Sequence, residues 1–384
     1  MTTARGPWQR ILVRGVNWLG DAVMTTPALL RLRAAQPQAH ISLLTPEKLA
    51  DLWAGHPAID AVLLIGRGEN PWRVGRQLRG HGYEAGLVFP NSPRAALELW
   101  RGRIPIRVGY AASWRRWWLT HPLPPRTEGG RMRKRSAAEV RRLLAASPSP
   151  APSASEGGEA HHLYHYLHLA AALGADPTPI APRLVVSEAE VIEAVRRFGL
   201  APRDAPGRLW LGLNPGAEYG PAKRWPADRF AATALEVHRR LRCGWVVFGG
   251  PGEASLAEAI AGQIAGGAAK DAPVPVLNLA GQTTLRQLCA LLRSCRALLT
   301  NDTGPMHVAA ALGTPVVALF GSTAPALTGP GLPGDPAHRI LRAPVPCSPC
   351  FRRECPVDLR CLTNLELTPV VEALCACVLP SPAG

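Results

Sequence analysis

Short apolar runs alternate with longer amphipathic stretches along the whole chain. In the first half, Ile11–Arg14, Ile41–Leu44, Ala61–Ile65, Gly86–Phe89 and Ile106–Val108 read as strands. A helix over Asp21–Ala35 separates the first two. The second half repeats the rhythm, with strands at Leu209–Leu213, Trp245–Phe248, Val276–Leu279, Ala297–Thr300 and Val316–Phe320. Helices are expected at Asp228–Leu241, Glu253–Ile264 and Leu285–Arg293 between them. Strand–helix–strand alternation predicts an α/β fold, in which parallel sheets carry helices on both faces. The rhythm runs twice without a sequence repeat, so two Rossmann-like domains are expected, 1–180 and 181–384, joined near Pro177, Pro179 and Pro182. A helix at His162–Leu173 precedes that joint. A last helix, Leu367–Val378, is expected to reach back to the first domain.

A chain of 384 residues, 47% hydrophobic and 18% charged, can bury two cores of ordinary size. No apolar run reaches membrane-spanning length, and Met1–Arg10 lacks a signal-peptide core, which suggests a cytoplasmic protein. The net charge of +15 calls for an anionic partner. Much of that charge lies between Arg101 and Arg142, where twelve Arg or Lys face two Glu. Here Trp114, Arg115, Arg116, Trp117 and Trp118 interleave rings with cations, and Arg131, Arg133 and Arg135 follow. Such a mixture suits an anionic membrane interface or single-stranded nucleic acid, and otherwise a solvated face. No nucleic-acid recognition motif accompanies it, so no nucleic-acid partner is expected. The stretch from about 124 to 160, basic and then rich in Pro, Ser and Ala, reads as a mobile loop.

Four segments carry candidate chemistry, each where a strand gives way to a helix. Leu298-Leu-Thr-Asn-Asp-Thr-Gly-Pro-Met-His307 places Asp302, Thr303 and Gly304 at a helix start, which offers unpaired N–H groups and a positive dipole end to an anion. His307 falls one turn further on the same side, as a ligand or a packed core residue. Leu213-Asn-Pro-Gly-Ala-Glu-Tyr-Gly-Pro-Ala-Lys-Arg-Trp-Pro226 is a Gly/Pro-framed loop that can bring Lys223 to a diphosphate. Phe248-Gly-Gly-Pro-Gly-Glu253 allows close backbone approach, with Glu253 able to bond a ribose hydroxyl. Gly20-Asp21, after the first strand, gives either a helix cap or a general base.

In this order, the Gly20-Asp21 start, the Pro-Gly-Ala-Glu-Tyr-Gly-Pro-Ala-Lys-Arg-Trp-Pro segment and the Asn-Asp-Thr-Gly-Pro-Met-His segment resemble glycosyltransferase family 9, the lipopolysaccharide heptosyltransferases. The resemblance implies a GT-B architecture, with acceptor on the first domain and nucleotide-sugar on the second. It implies inverting transfer of L-glycero-D-manno-heptose from ADP-heptose to the lipopolysaccharide inner core, heptosyl-Kdo2-lipid A. Asp21 matches the family's catalytic base and Lys223 its diphosphate lysine. Asp302, Thr303, Gly304 and His307 match its donor turn, and Glu253 a nucleotide contact. No cofactor is implied, and the chain has no Asp-x-Asp pair to clamp a diphosphate through metal. Trp114, Arg115, Arg116, Arg131 and Arg133 would then meet the phosphorylated lipid A acceptor and the cytoplasmic face of the inner membrane. The remaining readings are another GT-B transferase or a sugar-nucleotide epimerase.

Cys347, Cys350, Cys355 and Cys361 place four thiols within fifteen residues. The spacing raises a structural metal site, against reduced thiols or a disulfide.

Overall fold

The computed structural model describes residues 6–126, 132–146, 158–201, 203, 209–268 and 273–379. The chain divides into two compact units: Met1–Gly130 with Glu159–Val185, and Arg131–Gly158 with Val186–Gly384.

The first unit is a parallel six-stranded sheet of β1 (Arg10–Arg14), β2 (His40–Pro46), β3 (Ala61–Ile65), β4 (Ala85–Val88), β5 (Ile106–Tyr110) and β6 (His121–Leu123), in the order β3-β2-β1-β4-β5-β6. Its central strands are apolar on both faces, because helices cover both: Ile11, Leu12, Val13, Leu87 and Val88 are fully buried. The helices are α1 (Leu19–Met24), α2 (Thr26–Ala35), α3 (Pro71–Gln77), α4 (Pro93–Arg101) and, after α5 (Ala137–Ala145) of the second unit, α6 (His162–Ala171). The single helix expected over 21–35 is therefore two. Thr25 and Thr26 turn their hydroxyls back onto the carbonyls of Ala22 and Val23 at 2.6 and 2.8 Å, and Pro27 opens the second helix. Proline tolerates a first helical turn but not an interior one, so the break falls there.

The second unit repeats the topology. Strands β7 (Trp210–Asn214), β8 (Gly244–Val247), β9 (Val276–Asn278), β10 (Leu298–Asn301), β11 (Val316–Leu319) and β12 (Arg339–Leu341) form a parallel sheet ordered β12-β11-β10-β7-β8-β9. Its helices are α5 (Ala137–Ala145), α7 (Glu188–Arg197), α8 (Ala227–Leu241), α9 (Ala254–Gly267), α10 (Leu285–Ser294), α11 (Gly304–Ala311), α12 (Pro325–Thr328), α13 (Arg360–Thr363) and α14 (Leu367–Val378). Both sheets have the doubly wound order in which connections diverge from the first strand, and such sheets bind ligands at the carboxyl ends of the strands where the order switches. That switch point is β1/β4 in the first unit and β7/β10 in the second.

One expectation changes. Part of the expected loop, residues 137–145, is helix α5: Ser136 caps it by accepting from Glu139 N at 3.1 Å, and Val140 is buried in the second unit's core with Leu143 and Leu144 against it. Its apolar residues at i, i+3 and i+4 are the signal, masked by the arginines around them. The last helix buries Val370, Val371 and Leu374 within the second unit, against α8 and β11. Among the described residues, no helix is long and apolar enough to cross a membrane.

Candidate functional site

In the second unit the segments that follow β7, β8 and β10 carry all six expected donor-site residues: Lys223, Glu253, Asp302 and Thr303 ahead of the helices, and Gly304 and His307 in the first turns of α11. Asn301 ties two of these loops together. Fully buried at the end of β10, it donates from Nδ2 to the carbonyl of Pro215 at 2.7 Å and accepts from Trp225 N at 3.1 Å. The Gly/Pro frame of the β7 loop is thus pinned at both ends, and buried Trp225 seats edge-on against Phe230.

Inside that frame, Lys223 Nζ lies 2.6 Å from Asp302 Oδ2, and the same oxygen accepts from Thr323 Oγ1 at 2.6 Å. Asp302 is almost fully buried, so its carboxylate positions the ammonium. Lys223 also donates to the Asp302 carbonyl at 3.3 Å and sits over the Tyr219 ring, 5.0 Å from its centre. The next residue, Thr303, is extended and begins the eight-residue helix α11 with no side-chain cap. Gly304 has no intrahelical partner for its N–H, and both residues are partly open to solvent. A cation and a helix start converge, an arrangement that suits a phosphorylated ligand. His307, one turn on, is buried in the same helix.

Glu253 reaches the same loop from β8. Its Oε2 accepts from Gly250 N at 3.0 Å, and its Oε1 faces Arg224 at 3.9 Å. A Cβ on Gly216 would stand 2.1 Å from this carboxyl carbon, so only glycine there admits Glu253.

A further segment, 347–361, buttresses the pocket. Ser348 Oγ donates to the Gly321 carbonyl at 2.7 Å, Cys350 N and Phe351 N donate to that of Ser322, and Tyr219 Oη donates to that of Phe351 at 2.8 Å. Cys347, Cys350, Cys355 and Cys361 line one cavity of about 10 Å³, room for a single water-sized particle and far too small for a sugar. All four are free, and among the described residues no three His, Cys, Asp or Glu side chains are arranged to hold a metal ion. Burial and mutual repulsion push Cys361 up to about 12 and raise Cys347 and Cys350, so they stand protonated.

In the first unit Asp21 sits in the first turn of α1, at the carboxyl end of β1, partly exposed. The preceding loop is anchored by a buried ion pair. Arg14 Nε lies 2.7 Å from Glu98 Oε2, and its Nη1 donates to the Gly15 carbonyl and, at 3.5 Å, to Asn17 Oδ1. Glu98 is fully buried and also accepts from Arg94 at 2.8 Å. Tyr166 of α6 is within electrostatic reach of Asp21. Burial first, then Asp21 and Tyr110, raise its phenol well above the usual range, so it stays protonated.

The candidate acceptor and membrane residues separate. Trp114 and Trp117 stand about four-fifths exposed on a two-turn 3₁₀ helix, Ser113–Trp118, beside exposed Arg116. Arg115 is the correction: it is fully buried, donating to the carbonyls of Tyr110 at 2.6 Å and Pro90, and burial pushes it down to about 10. A 3₁₀ turn eclipses residues three apart, so 114 and 117 share a side while 115 points elsewhere. Arg133 belongs to the second unit, where it pairs with Glu139. Arg131 lies outside the described residues. Sequence reasoning passed over Asn301, Thr323, Tyr219 and the Arg14–Glu98 pair. Asn301 and Tyr219 lie within the quoted Asn-Asp-Thr-Gly and Gly-Ala-Glu-Tyr-Gly segments and so carried a local signal; Thr323 and the Arg14–Glu98 pair did not.

The model of "Glycosyltransferase family 9 (heptosyltransferase)" matches residues 139–360. Lipopolysaccharide heptosyltransferase 2 of Escherichia coli (strain K12) is 32% identical over 336 residues, 84% of this chain and 85% of that protein. Lipooligosaccharide heptosyltransferase 2 of Haemophilus ducreyi is 30% identical over 330 residues, 84% of this chain and 86% of that one. A solved structure of E. coli ADP-heptose LPS heptosyltransferase II aligns with a TM-score of 0.73 at 28% identity, covering 96% of this chain and 98% of that one. The fold shared with these transferases is GT-B, with one Rossmann-like sheet in each unit.

Proposed function

Since the chain belongs to glycosyltransferase family 9 and is a lipopolysaccharide heptosyltransferase, we propose that it moves L-glycero-D-manno-heptose from ADP-heptose to heptosyl-Kdo2-lipid A, with inversion at the anomeric carbon. The observation that carries the donor half is Lys223, held at the start of α11 by Asp302, whose carboxylate Thr323 also bonds. The N–H of Gly304 and the Lys223 ammonium face the charge that grows on ADP as the C1–O bond to the β-phosphate breaks. A preorganised donor set of this kind stabilises a transition state without reorganising. Glu253 bonds the ribose, and His307 supports the turn.

Asp21 acts on the acceptor. Its carboxylate takes the proton of the attacking hydroxyl while the acceptor oxygen bonds C1 from the face opposite ADP. The position at a switch-point strand end supports this role, and the Arg14–Glu98 pair fixes the loop that delivers it. Trp114, Arg116 and Trp117 rest on the anionic inner membrane at its cytoplasmic face, where the lipid acceptor lies. Their exposure side by side with Arg116 supports this, because Trp with Arg suits an anionic membrane interface.

The test is mass spectrometry of products from ADP-heptose and defined acceptors carrying zero, one or two heptoses. The acceptor with one heptose should gain the mass of one more. Equal use of the heptose-free acceptor would assign a different step.

A further inference from the structure

Three cations gather at the loop 219–226, Lys223 and Arg224 within it and Arg353 against it, and they differ in one respect. Lys223 is 2.6 Å from Asp302, and Arg224 is 3.9 Å from Glu253, so each faces a carboxylate of its own. Arg353 has no carboxylate partner among the described residues. Its Cζ sits 5.2 Å from the centre of the Tyr219 ring, the ring that also takes Lys223 Nζ at 5.0 Å. The two charges share one aromatic platform and stand at most about 10 Å apart.

The placement of Arg353 is built rather than accidental, although its side chain is exposed. Its carbonyl accepts from Ala222 N at 2.9 Å, in the turn that carries Lys223. Gly220, at a φ of 149°, passes so close that a Cβ there would be 2.6 Å from that carbonyl oxygen. A positive φ and this approach both require glycine. The donor loop and the Arg353 backbone are therefore one rigid piece.

Charge balance supplies the rest. A nucleoside diphosphate brings at least two negative charges to a pocket where Lys223 is already neutralised by Asp302. The pair presents an oriented donor but little net positive charge. The sequence has no Asp-x-Asp pair to bring compensating metal. A cation without its own carboxylate, held on the same Tyr219 ring as Lys223, meets that need, and a guanidinium binds phosphate oxygens in a bidentate fork.

We propose that Arg353 is a second diphosphate-binding residue, closing on the phosphates of the ADP group beside Lys223. This rests on the reading of the second unit as the donor pocket, and it adds a ligand from the cysteine-rich segment.

Calorimetric titration with ADP and with adenosine tests it, on the full chain and on Arg353→Met and Arg353→Lys. Methionine keeps an apolar stem on Tyr219 without the charge, and lysine restores charge without the fork. Arg353→Met should weaken ADP about 10- to 100-fold while adenosine changes less than about twofold, with Arg353→Lys between. The ADP loss should shrink as salt rises. Unchanged ADP affinity in Arg353→Met, with the wild type binding ADP, would overturn the assignment and leave the donor pocket standing. An equal loss for ADP and adenosine would reduce Arg353 to a support of the loop and would also overturn it. A wild type that binds ADP no better than adenosine would remove the donor pocket itself, and this inference with it.

Discussion

Lys223 and Asp302 form the tightest charge pair of the proposed donor pocket, 2.6 Å apart, with side chains only 14% and 4% exposed. The two residues are 79 positions apart in sequence and come from the loops after β7 and β10. The pair therefore joins the two strands of the switch point, and it makes the cation's position depend on the carboxylate.

Lys223→Met should both destabilise the fold and weaken ADP binding, because it leaves a buried carboxylate with only Thr323 as partner. A loss of about 2–4 kcal/mol in denaturant unfolding is expected, from the cost of orphaning one member of a buried pair. The double variant Lys223→Met with Asp302→Asn should regain at least half of that stability, since coupled neighbours are not additive. It should not regain ADP affinity. Recovery of both would make Lys223 a structural residue.

How much of this was legible in the chain depends on the distance each feature spans. The turn at Asn301–His307 and the Lys223 loop were readable because a strand end, a Gly/Pro frame and a helix start all fall within one short segment. Asp302 was readable as part of that turn, but its bond to Lys223 was not, because nothing local records which loop lies beside it. The same holds for Tyr219 with Arg353, and for Arg14 with Glu98. Arg115 was misread for a different reason. In Trp114-Arg-Arg-Trp117 the local pattern does not say which cation turns inward, and space beside Gly109 decides it: a Cβ there would stand 2.8 Å from the Arg115 guanidinium. Helix α5 was hidden because its apolar positions are few and its flanks are basic.

The Arg14–Glu98–Arg94 cluster predicts a stability effect with a functional consequence. Glu98→Gln should cost about 3–5 kcal/mol, because it removes a fully buried charge that holds one buried and one half-exposed arginine. In the folded fraction, transfer should fall while ADP affinity is preserved, since the pair anchors the loop ahead of Asp21 and not the donor pocket. Denaturant unfolding and ADP calorimetry on the same sample separate the two effects.

Membrane docking predicts a surface effect without a core effect. Replacing Trp114 and Trp117 together with Ser should reduce binding to anionic vesicles by about tenfold or more, as two interfacial rings are lost. Unfolding should shift by less than about 0.5 kcal/mol, because both rings are exposed. Vesicle sedimentation and thermal unfolding check the two halves. Undiminished vesicle binding would move the docking surface elsewhere.

The central claim is that Asp21 performs the proton transfer while the second unit alone holds ADP. Parallel measurement of heptosyl transfer and ADP affinity in Asp21→Ala tests it most directly. Transfer should fall by about 10²- to 10⁴-fold, the usual weight of a general base, with the ADP dissociation constant unchanged within about twofold. Transfer within a few-fold of the wild type would remove Asp21 from the chemistry and contradict the account.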